Sequence, residues 1–437
     1  MRLSTSMPRP TQAGPLKAAA SGVTKAGHHW QPAPDRGISS PRTMRQTSPY
    51  DGPASDHILS LIRAGSATTR MELMEATGLS RSTVAERLKE LLDTGLIIGA
   101  GQSVSTGGRR PSVFKFNGSA GIVISASIDW TTIQVAILDL AGNILAGKDI
   151  EHDISKGPTA TLETLVEHVT EMHRDIGQQH RIWGVGIGLT GPVNFAAGRA
   201  LSAMGPTGWD GFPVSDWLIE KYRCPVLVDT DTNLMVMGQR VLSGKPCNDM
   251  VFVKAGANIG ASFIFDGHLF RGAFGSAGNI GHTYLPGHED TICACGRTGC
   301  LEAVASGRAI AARLTGNGMT TASTTDVVLH VQQGHEAATA VVRQAGIDVG
   351  LVLANIVNAF NPSLIVVGGE LSAAGDPFLA GIREAVYGHC PAHATRNLHI
   401  NISSNWRKAA ILGAAGMVVS KALEIRAAGE HASYADL

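Results

Sequence analysis

One imidazole and three thiols fall within 19 residues of this chain, as His282-x10-Cys293-x-Cys295-x4-Cys300. Three thiolates and one nitrogen suit tetrahedral zinc, and four protein ligands leave no open position for catalysis, so the metal chemistry implied is structural. Gly296 and Gly299 let the chain turn tightly around an ion. Three free thiols in one short loop would be an odd concentration of reactive groups in a reducing compartment. Cys224, Cys247 and Cys390 are scattered and read as small core residues.

A second group of residues suits the reading of a duplex. Gly78 and Leu79 form a turn, Ser80 is placed as a helix cap, and Arg81-Ser82-Thr83 opens the predicted helix behind it. Short polar and basic groups at that end of the second helix of a pair are where a recognition helix meets base edges. Arg87 falls on the next turn, placed for a phosphate or a base. Downstream, Thr106-Gly-Gly-Arg-Arg-Pro111 occupies a loop between two strand-like runs. Two glycines let that backbone run close to DNA, and the adjacent Arg109 and Arg110 suit a narrow minor groove. A helix pair alone could be an ordinary αα-hairpin. The coincidence of the helix pattern with a basic wing points instead to double-stranded DNA.

These groups need elements to hold them. From Asp56 to Asn117 the pattern is three short helices and a hairpin. Ile58, Leu59, Leu61 and Ile62 give the first helix an apolar face, and Thr69-Arg-Met-Glu72 is a capping box for the second. Val84, Leu88 and Leu91 recur at spacings of four and three in the third, which Gly95 ends. Leu96–Ile98 and Val113–Phe116 read as strands. Beyond residue 119 the pattern is α/β, with strand-like runs at Ile122–Ile124, Ile133–Leu138, Gly184–Leu189, Val226–Val228, Val251–Val253 and Leu364–Val367. Helical stretches cover Thr161–Gln178, Leu301–Leu314, Ala337–Phe360 and Arg407–Ile425. The segments 135–147 and 261–272 both read strand, Gly turn, strand, and a repeated hairpin suits a duplicated, two-lobed domain.

The chain of 437 residues carries 36 basic and 36 acidic residues, which excludes a wholly basic nucleic-acid coat and an acidic, solvating chain. Residues 1–52 are rich in Pro, Ser, Thr and Ala, with basic residues outnumbering acids, and read as a disordered basic tail. Met44 lies just before the first helical pattern, so the start of translation is an alternative account of part of that tail. No apolar run follows Arg2 as in an export signal, and the nearly apolar stretch Ala409–Val419 is far shorter than the roughly 20 residues of a membrane span. The expectation is a cytoplasmic chain with no membrane partner. It has three parts: the tail, a DNA-binding domain over 53–117 and an α/β domain over 119–437.

The segment GNIGH (278–282), followed by CACGRTGCLEAVASG (293–307), resembles the signature of the ROK family of bacterial repressors and sugar kinases. The upstream winged helix ending in STGGRRP resembles the repressor branch, and GLTGPV (188–193), VDTDTN (228–233) and VVGGELS (366–372) fall in the family's order. The resemblance implies a winged helix-turn-helix followed by an actin-like, ribonuclease-H-like two-lobed domain. That domain would bind a sugar in its cleft and assemble as a homodimer or homotetramer. It also implies one zinc per chain.

Departures from the family pattern carry the functional argument. ROK kinases hold ATP phosphates on a DxGGT turn, where this chain has Ser127-Ile-Asp-Trp-Thr131, so an indole stands in place of a Gly. Their second phosphate turn, GTGIG, reads Gly256-Ala-Asn-Ile-Gly260. Both cradles are altered, so ATP binding and kinase activity are not expected. Asp231 matches the kinase general base and becomes a vestigial one, left to accept a hydrogen bond from a sugar hydroxyl. Asn279 replaces a sugar-binding Glu and Gly205 a sugar-binding Asn, while His282 and Glu302 remain. The resemblance thus implies a sugar-responsive repressor whose ligand meets Asp231, Asn279, His282 and Glu302 and whose partner is operator DNA. A bifunctional DNA-binding sugar kinase and a constitutive regulator with a dead sugar site are the alternatives.

Overall fold

The computed structural model describes residues 54–102, 112–201, 208–244 and 247–427. The basic tail, Gly205 and the wing residues Arg109 and Arg110 lie outside the described residues. The head is three helices and a hairpin: α1 (Ala54–Ala64), α2 (Arg70–Thr77), α3 (Arg81–Asp93), β1 (Ile97–Gln102) and β2 (Ser112–Phe116). The expected capping box forms, with Thr69 accepting the Glu72 N–H and Glu72 accepting the Thr69 N–H at 2.9 Å. Gly78 ends α2 at φ +70, a conformation that a side chain resists. Ser80 then caps α3 by accepting the Thr83 N–H at 3.2 Å. Strands β1 and β2 pair antiparallel, Ile97 opposite Phe116. Ile58, Leu73, Val84, Leu88, Ile97 and Phe114 bury the apolar sides of all five elements together.

Two five-stranded sheets come next in the chain, and their topologies are identical. The first contains β3 (Ile122–Ile128), β4 (Thr132–Asp139), β5 (Ile144–Glu151) and β6 (Ile182–Leu189). After a two-residue pair, β7 (Val193–Asn194) and β8 (Arg199–Ala200), it is completed by β9 (Val226–Thr230). Its order is β5-β4-β3-β6-β9. The second contains β10 (Met250–Ala255), β11 (Ile259–Phe265), β12 (His268–Phe270), β13 (Leu364–Gly368) and β14 (His399–Ile402), in the order β12-β11-β10-β13-β14. In each, an antiparallel hairpin supplies three strands and two parallel strands extend the other edge. The repeated hairpins at 135–147 and 261–272 therefore mark the duplication the sequence suggests.

Helices α4 (Pro158–Asp175) and α5 (Val214–Tyr222) cover the first sheet, and α6 (Asp231–Ser243) leads into the second lobe. There α7 (Leu301–Ala305), α8 (Gly307–Gly316), α9 (Thr324–Gln332), α10 (Glu336–Phe360), α11 (Asp376–His389) and the single turn α12 (Ala392–Thr395) succeed one another. The helix expected over Leu301–Leu314 is two helices, because Ser306 is extended and caps α8 by accepting the Ala309 N–H. Helix α10 is long and apolar enough to cross a membrane by composition. It instead buries Ala338, Val342, Val349, Leu353 and Val357 in the core of the second lobe.

The last helix, α13 (Trp406–Ala427), returns to the first sheet and packs along α6. It also joins the head to the body: Val418, Val419 and Leu423 share one apolar cluster with Ile58, Leu88 and Leu91. Apolar side chains buried across such a junction contribute about 1.5–3 kcal/mol each.

Candidate functional site

The cleft between the lobes is built from turns at strand ends. Asp129, Trp130 and Thr131 link β3 to β4, Asp231 is the first residue of α6 directly after β9, and residues 256–258 link β10 to β11. Thr230 caps α6 by accepting the Asn233 N–H at 3.2 Å, which fixes Asp231 at the mouth of that helix. Asp231, Asn279, His282 and Glu302, the four residues expected to meet a ligand, all line one cavity of about 260 Å³. They come from α6, from the single helical turn Ile280–His282 and the residue before it, and from α7.

Lys254 lies at the floor of this cavity, a site residue that no sequence motif marks. It is buried in β10, with Nζ 2.7 Å from Asp129 Oδ2 and 2.5 Å from Asp231 Oδ2. A buried ammonium is tolerated only when paired, and here two carboxylates pair with it. Burial lowers the Lys254 pKa, but the two acids outweigh this and hold it above the usual lysine range. Burial pushes the Asp231 carboxyl up, with the Asp129 charge adding to that and Lys254 opposing it. Asp129 is also desolvated, yet the Lys254 charge and hydrogen bond hold it below the ordinary value. The signal in the sequence is one Lys inside the otherwise apolar strand Met-Val-Phe-Val-Lys-Ala.

Three contacts join the lobes on the side of the cleft where the family's phosphate turns would lie. Lys254 of the second lobe reaches Asp129 of the first. Asn258 Nδ2 donates to Thr190 Oγ1 at 3.0 Å. The Arg308 guanidinium sits 4.9 Å from the centre of the Trp130 ring, a cation–π distance. The turns' own N–H groups are engaged as well: Trp130 N–H donates to Asp129 Oδ1 at 2.8 Å, and Gly256 N–H to Asn258 O at 3.1 Å. Glu302 accepts the Ile259 N–H at 2.7 Å and pairs with Arg308 at 3.2 Å. Burial raises its pKa, against the pull of that N–H and of Arg308.

His282, Cys293, Cys295 and Cys300 come together as expected, their ligand atoms all within 4.8 Å of one another. Cys293 Sγ is 3.7 Å from His282 Nδ1, and Cys295 Sγ is 3.6 Å from Cys300 Sγ. Four ligands at metal–sulfur distances of about 2.3 Å around a tetrahedron lie roughly 3.5–3.8 Å apart, so this group could hold a metal ion. The loop is tied by Cys293 N–H to Arg297 O at 2.8 Å and Leu285 N–H to Gly299 O at 2.7 Å. Gly296 and Gly299 take φ +82 and +69, the turns the sequence expected of them. Cys293 and Cys295 also border the cleft, so the cluster forms part of its wall.

In the head, Arg81 and Ser82 are exposed at the N-terminus of α3, with Thr83 half-buried beside them. The Ser80 hydroxyl lies 2.8 Å from that of Ser82 and 2.9 Å from that of Thr83. Arg87 is engaged along its own helix, with Nη1 2.7 and 2.9 Å from the two oxygens of Glu90. An exposed pair of this kind is worth little, about 0.3–0.5 kcal/mol, and a phosphate competes with it readily.

The chain has relatives of two kinds. It is 27% identical over 382 residues to the xylose repressor of Caldicellulosiruptor bescii, covering 84% of this chain and 95% of that protein. It is 28% identical over 315 residues to the glucokinase of Halalkalibacterium halodurans, covering 68% of this chain and 94% of the other. Among solved structures, a ROK family transcriptional regulator described as a homolog of the E. coli MLC protein superposes with a TM-score of 0.74 at 22% identity. That match covers 86% of this chain and 98% of the other, and at that identity it shows shared fold. The ROK family glucokinase of Streptomyces griseus, solved with glucose and AMPPNP, matches 68% of this chain and 99% of its own, with a TM-score of 0.58 and 26% identity. Residues 57–98 match a winged helix-turn-helix DNA-binding family. Residues 123–421, both lobes and most of α13, match the ROK family, more than half of the chain, and the chain belongs to it.

Proposed function

We propose that this protein is a sugar-responsive transcriptional repressor whose kinase-derived domain senses its ligand without phosphorylating it. The observation that carries the reading is the joining of two features in one unit: a winged head with Arg81 and Ser82 exposed on α3, and a sugar-type cleft whose phosphate side is held shut by Lys254–Asp129, Asn258–Thr190 and Arg308–Trp130. A kinase needs backbone N–H groups and a metal ion against the transferring phosphates. Here the N–H groups of Trp130 and Gly256 are engaged within the turns. The relatives named xylose repressor, which span 84% of the chain, support the same reading.

Asp231, Asn279, His282 and Glu302 are the ligand-binding set in this account. A cavity of about 260 Å³ is slightly below the roughly 300 Å³ at which small-molecule sites begin, which suits a monosaccharide. His282, Cys293, Cys295 and Cys300 would hold one structural zinc, which supplies a rigid wall to the cleft and takes no part in a reaction. Arg81, Ser82, Thr83 and Arg87 face operator DNA, and Arg109 and Arg110 of the wing add minor-groove contacts. Two copies form the working repressor in the cytoplasm. The sugar acts by favouring one arrangement of the two heads, which changes the spacing of their recognition helices. The shared apolar cluster of α13 and the head is the mechanical link between ligand and DNA.

The test pairs two measurements on the intact protein. Operator fragments are selected from the chromosomal region around its gene and bound in a mobility-shift assay with a panel of neutral sugars. ADP release is followed with the same panel and ATP. A sugar that releases the DNA without generating ADP supports the proposal. Turnover at about 1–100 s⁻¹, the usual range for kinases, overturns its non-enzymatic half.

A further inference from the structure

Among the described residues, both cations that line the cleft are already paired. Lys254 lies between Asp129 and Asp231, and Arg308 pairs with Glu302 while its Nε donates to Ala257 O at 3.0 Å. Three carboxylates thus face two cations, and a proton on Asp231 would bring the balance only to zero. The backbone N–H groups of Trp130 and Gly256, the natural cradle for an anion, are taken. An anionic ligand would lose its hydration and find no unbalanced positive charge in return.

Two lining residues each hold a buried polar atom that adds no charge. Among the described residues, Asn258 Oδ1 and Trp130 Nε1 have no hydrogen-bond partner. One accepts only and the other donates only. Neither is a cation, so neither offers an anion a countercharge.

We propose that the Asp129–Lys254–Asp231 bridge is a charge filter: it makes the cleft take an uncharged, hydroxyl-rich sugar and turn away the same sugar carrying a phosphate or carboxylate. The proposal rests on the sugar-sensing reading above and adds to it the ligand's charge class and the residues that set it. Lys254 does this by position. Its single positive charge is shared between two acids across the lobes, which leaves the bridge one negative charge in excess. Asp129 supplies the excess negative charge, and its side chain, 36% exposed, tolerates exchange better than the buried Lys254 and Asp231.

The experiment is titration calorimetry on the intact, zinc-replete protein. The probes are D-glucose, D-mannose, D-xylose and N-acetyl-D-glucosamine, against glucose 6-phosphate, mannose 6-phosphate, N-acetylglucosamine 6-phosphate and D-glucuronate. At least one neutral sugar binds, and its charged counterpart binds at least about tenfold more weakly, as one unbalanced neighbouring charge requires. Asp129→Asn keeps an acceptor for the Trp130 N–H, removes one negative charge and narrows that ratio about tenfold. Lys254→Met removes the cation and widens it. If Lys254→Met does not fold, the Asp129→Asn ratio decides alone. A purely structural bridge would weaken neutral and charged ligands together, and an unchanged ratio in Asp129→Asn overturns the filter. A charged sugar that binds as tightly as its neutral parent also overturns it while leaving sugar sensing intact. Binding of no sugar in either class removes both the filter and the sensing reading.

Discussion

Gly238 of α6 and Ala409 of α13 approach so closely that a Cβ on Gly238 would lie 1.8 Å from the Ala409 carbonyl oxygen. Gly413 returns the contact, since a Cβ there would sit 1.9 Å from Leu234 O. Two helices that meet backbone to backbone cannot slide without separating. Helix α6 starts at Asp231 in the cleft, and α13 carries Val418 and Val419 into the core shared with the head. A small-residue seam therefore lies between the cleft end of one helix and the head end of the other.

Gly238→Ala is expected to force these helices apart at a cost of about 1–3 kcal/mol or more, the usual range for overpacking a tight core. Urea denaturation should show the loss as a lower midpoint. The consequence for function is sharper: the coupling between sugar and operator should fall further than either affinity alone. Equal operator affinity with and without sugar, in a variant that still binds both, is the outcome this contact predicts.

The metal cluster predicts that purified protein carries about one zinc per chain and that Cys295→Ser loses it. Removing one thiolate leaves three ligands, and metal binding contributes directly to the order of its loop. His282 belongs both to the cluster and to the cleft wall, so the sugar response should decline with the metal. Elemental analysis of freshly prepared wild type that finds no zinc would count against the site.

On DNA, Arg81→Ala should relax sequence choice at one position of the operator, at a cost of about 1–3 kcal/mol. The Arg109→Ala/Arg110→Ala pair should weaken binding to many sequences alike and flatten the plot of log K against log salt by about two units, near 0.9 per phosphate contact. Fluorescence anisotropy across a salt series separates the two effects. A double variant that matches wild type in both low and high salt would remove the wing from the interface.

Much of the fold could be read because its signals are local. The capping box at Thr69, the Ser80 cap and the 3.6-residue spacing of Val84, Leu88 and Leu91 each depend on a few adjacent residues, and each is present. The meeting of His282, Cys293, Cys295 and Cys300 was legible for the same reason, the four residues lying in one short stretch. Helix ends were less so: Ser306 divides a continuous helical pattern because its hydroxyl competes for a backbone N–H. Lys254 was legible only as a lone lysine in an apolar strand. Its partners lie 125 and 23 residues away, and only the meeting of two lobes turns a lone strand lysine into a bridge. The same holds for Asn258 and Trp130. Sequence shows that they replace glycines of the phosphate turns, but not that each finds a partner across the cleft in Thr190 and Arg308.

The last expectation is that the protein releases no ADP with any sugar it binds. Phosphoryl transfer depends on positioning and charge stabilisation of the phosphates. In this cleft Trp130 and Asn258 occupy phosphate-turn positions, and Ala257 lacks the hydroxyl of the family's Thr. The would-be base is held as well. Asp231 accepts the Thr232 N–H at 2.7 Å and the Lys254 ammonium at 2.5 Å, so taking a sugar proton would mean giving up an ion pair. Glycine at positions 130 and 258 alone should not create a kinase, because Lys254 still engages Asp231 and residue 257 is still Ala. Sugar binding needs none of this machinery. Asp231→Asn leaves an imperfectly paired group at the cleft floor, costing about 1–3 kcal/mol, and should weaken the ligand roughly ten- to hundredfold. The same variant should bind operator as wild type does when no sugar is present, since Asp231 lies in the cleft and α3 in the head. A coupled ADP assay with the bound sugar, run beside calorimetry on Asp231→Asn, checks both halves. Steady turnover that Asp231→Asn abolishes would show that Asp231 is a working base and that the cleft opens for ATP despite its three closing contacts.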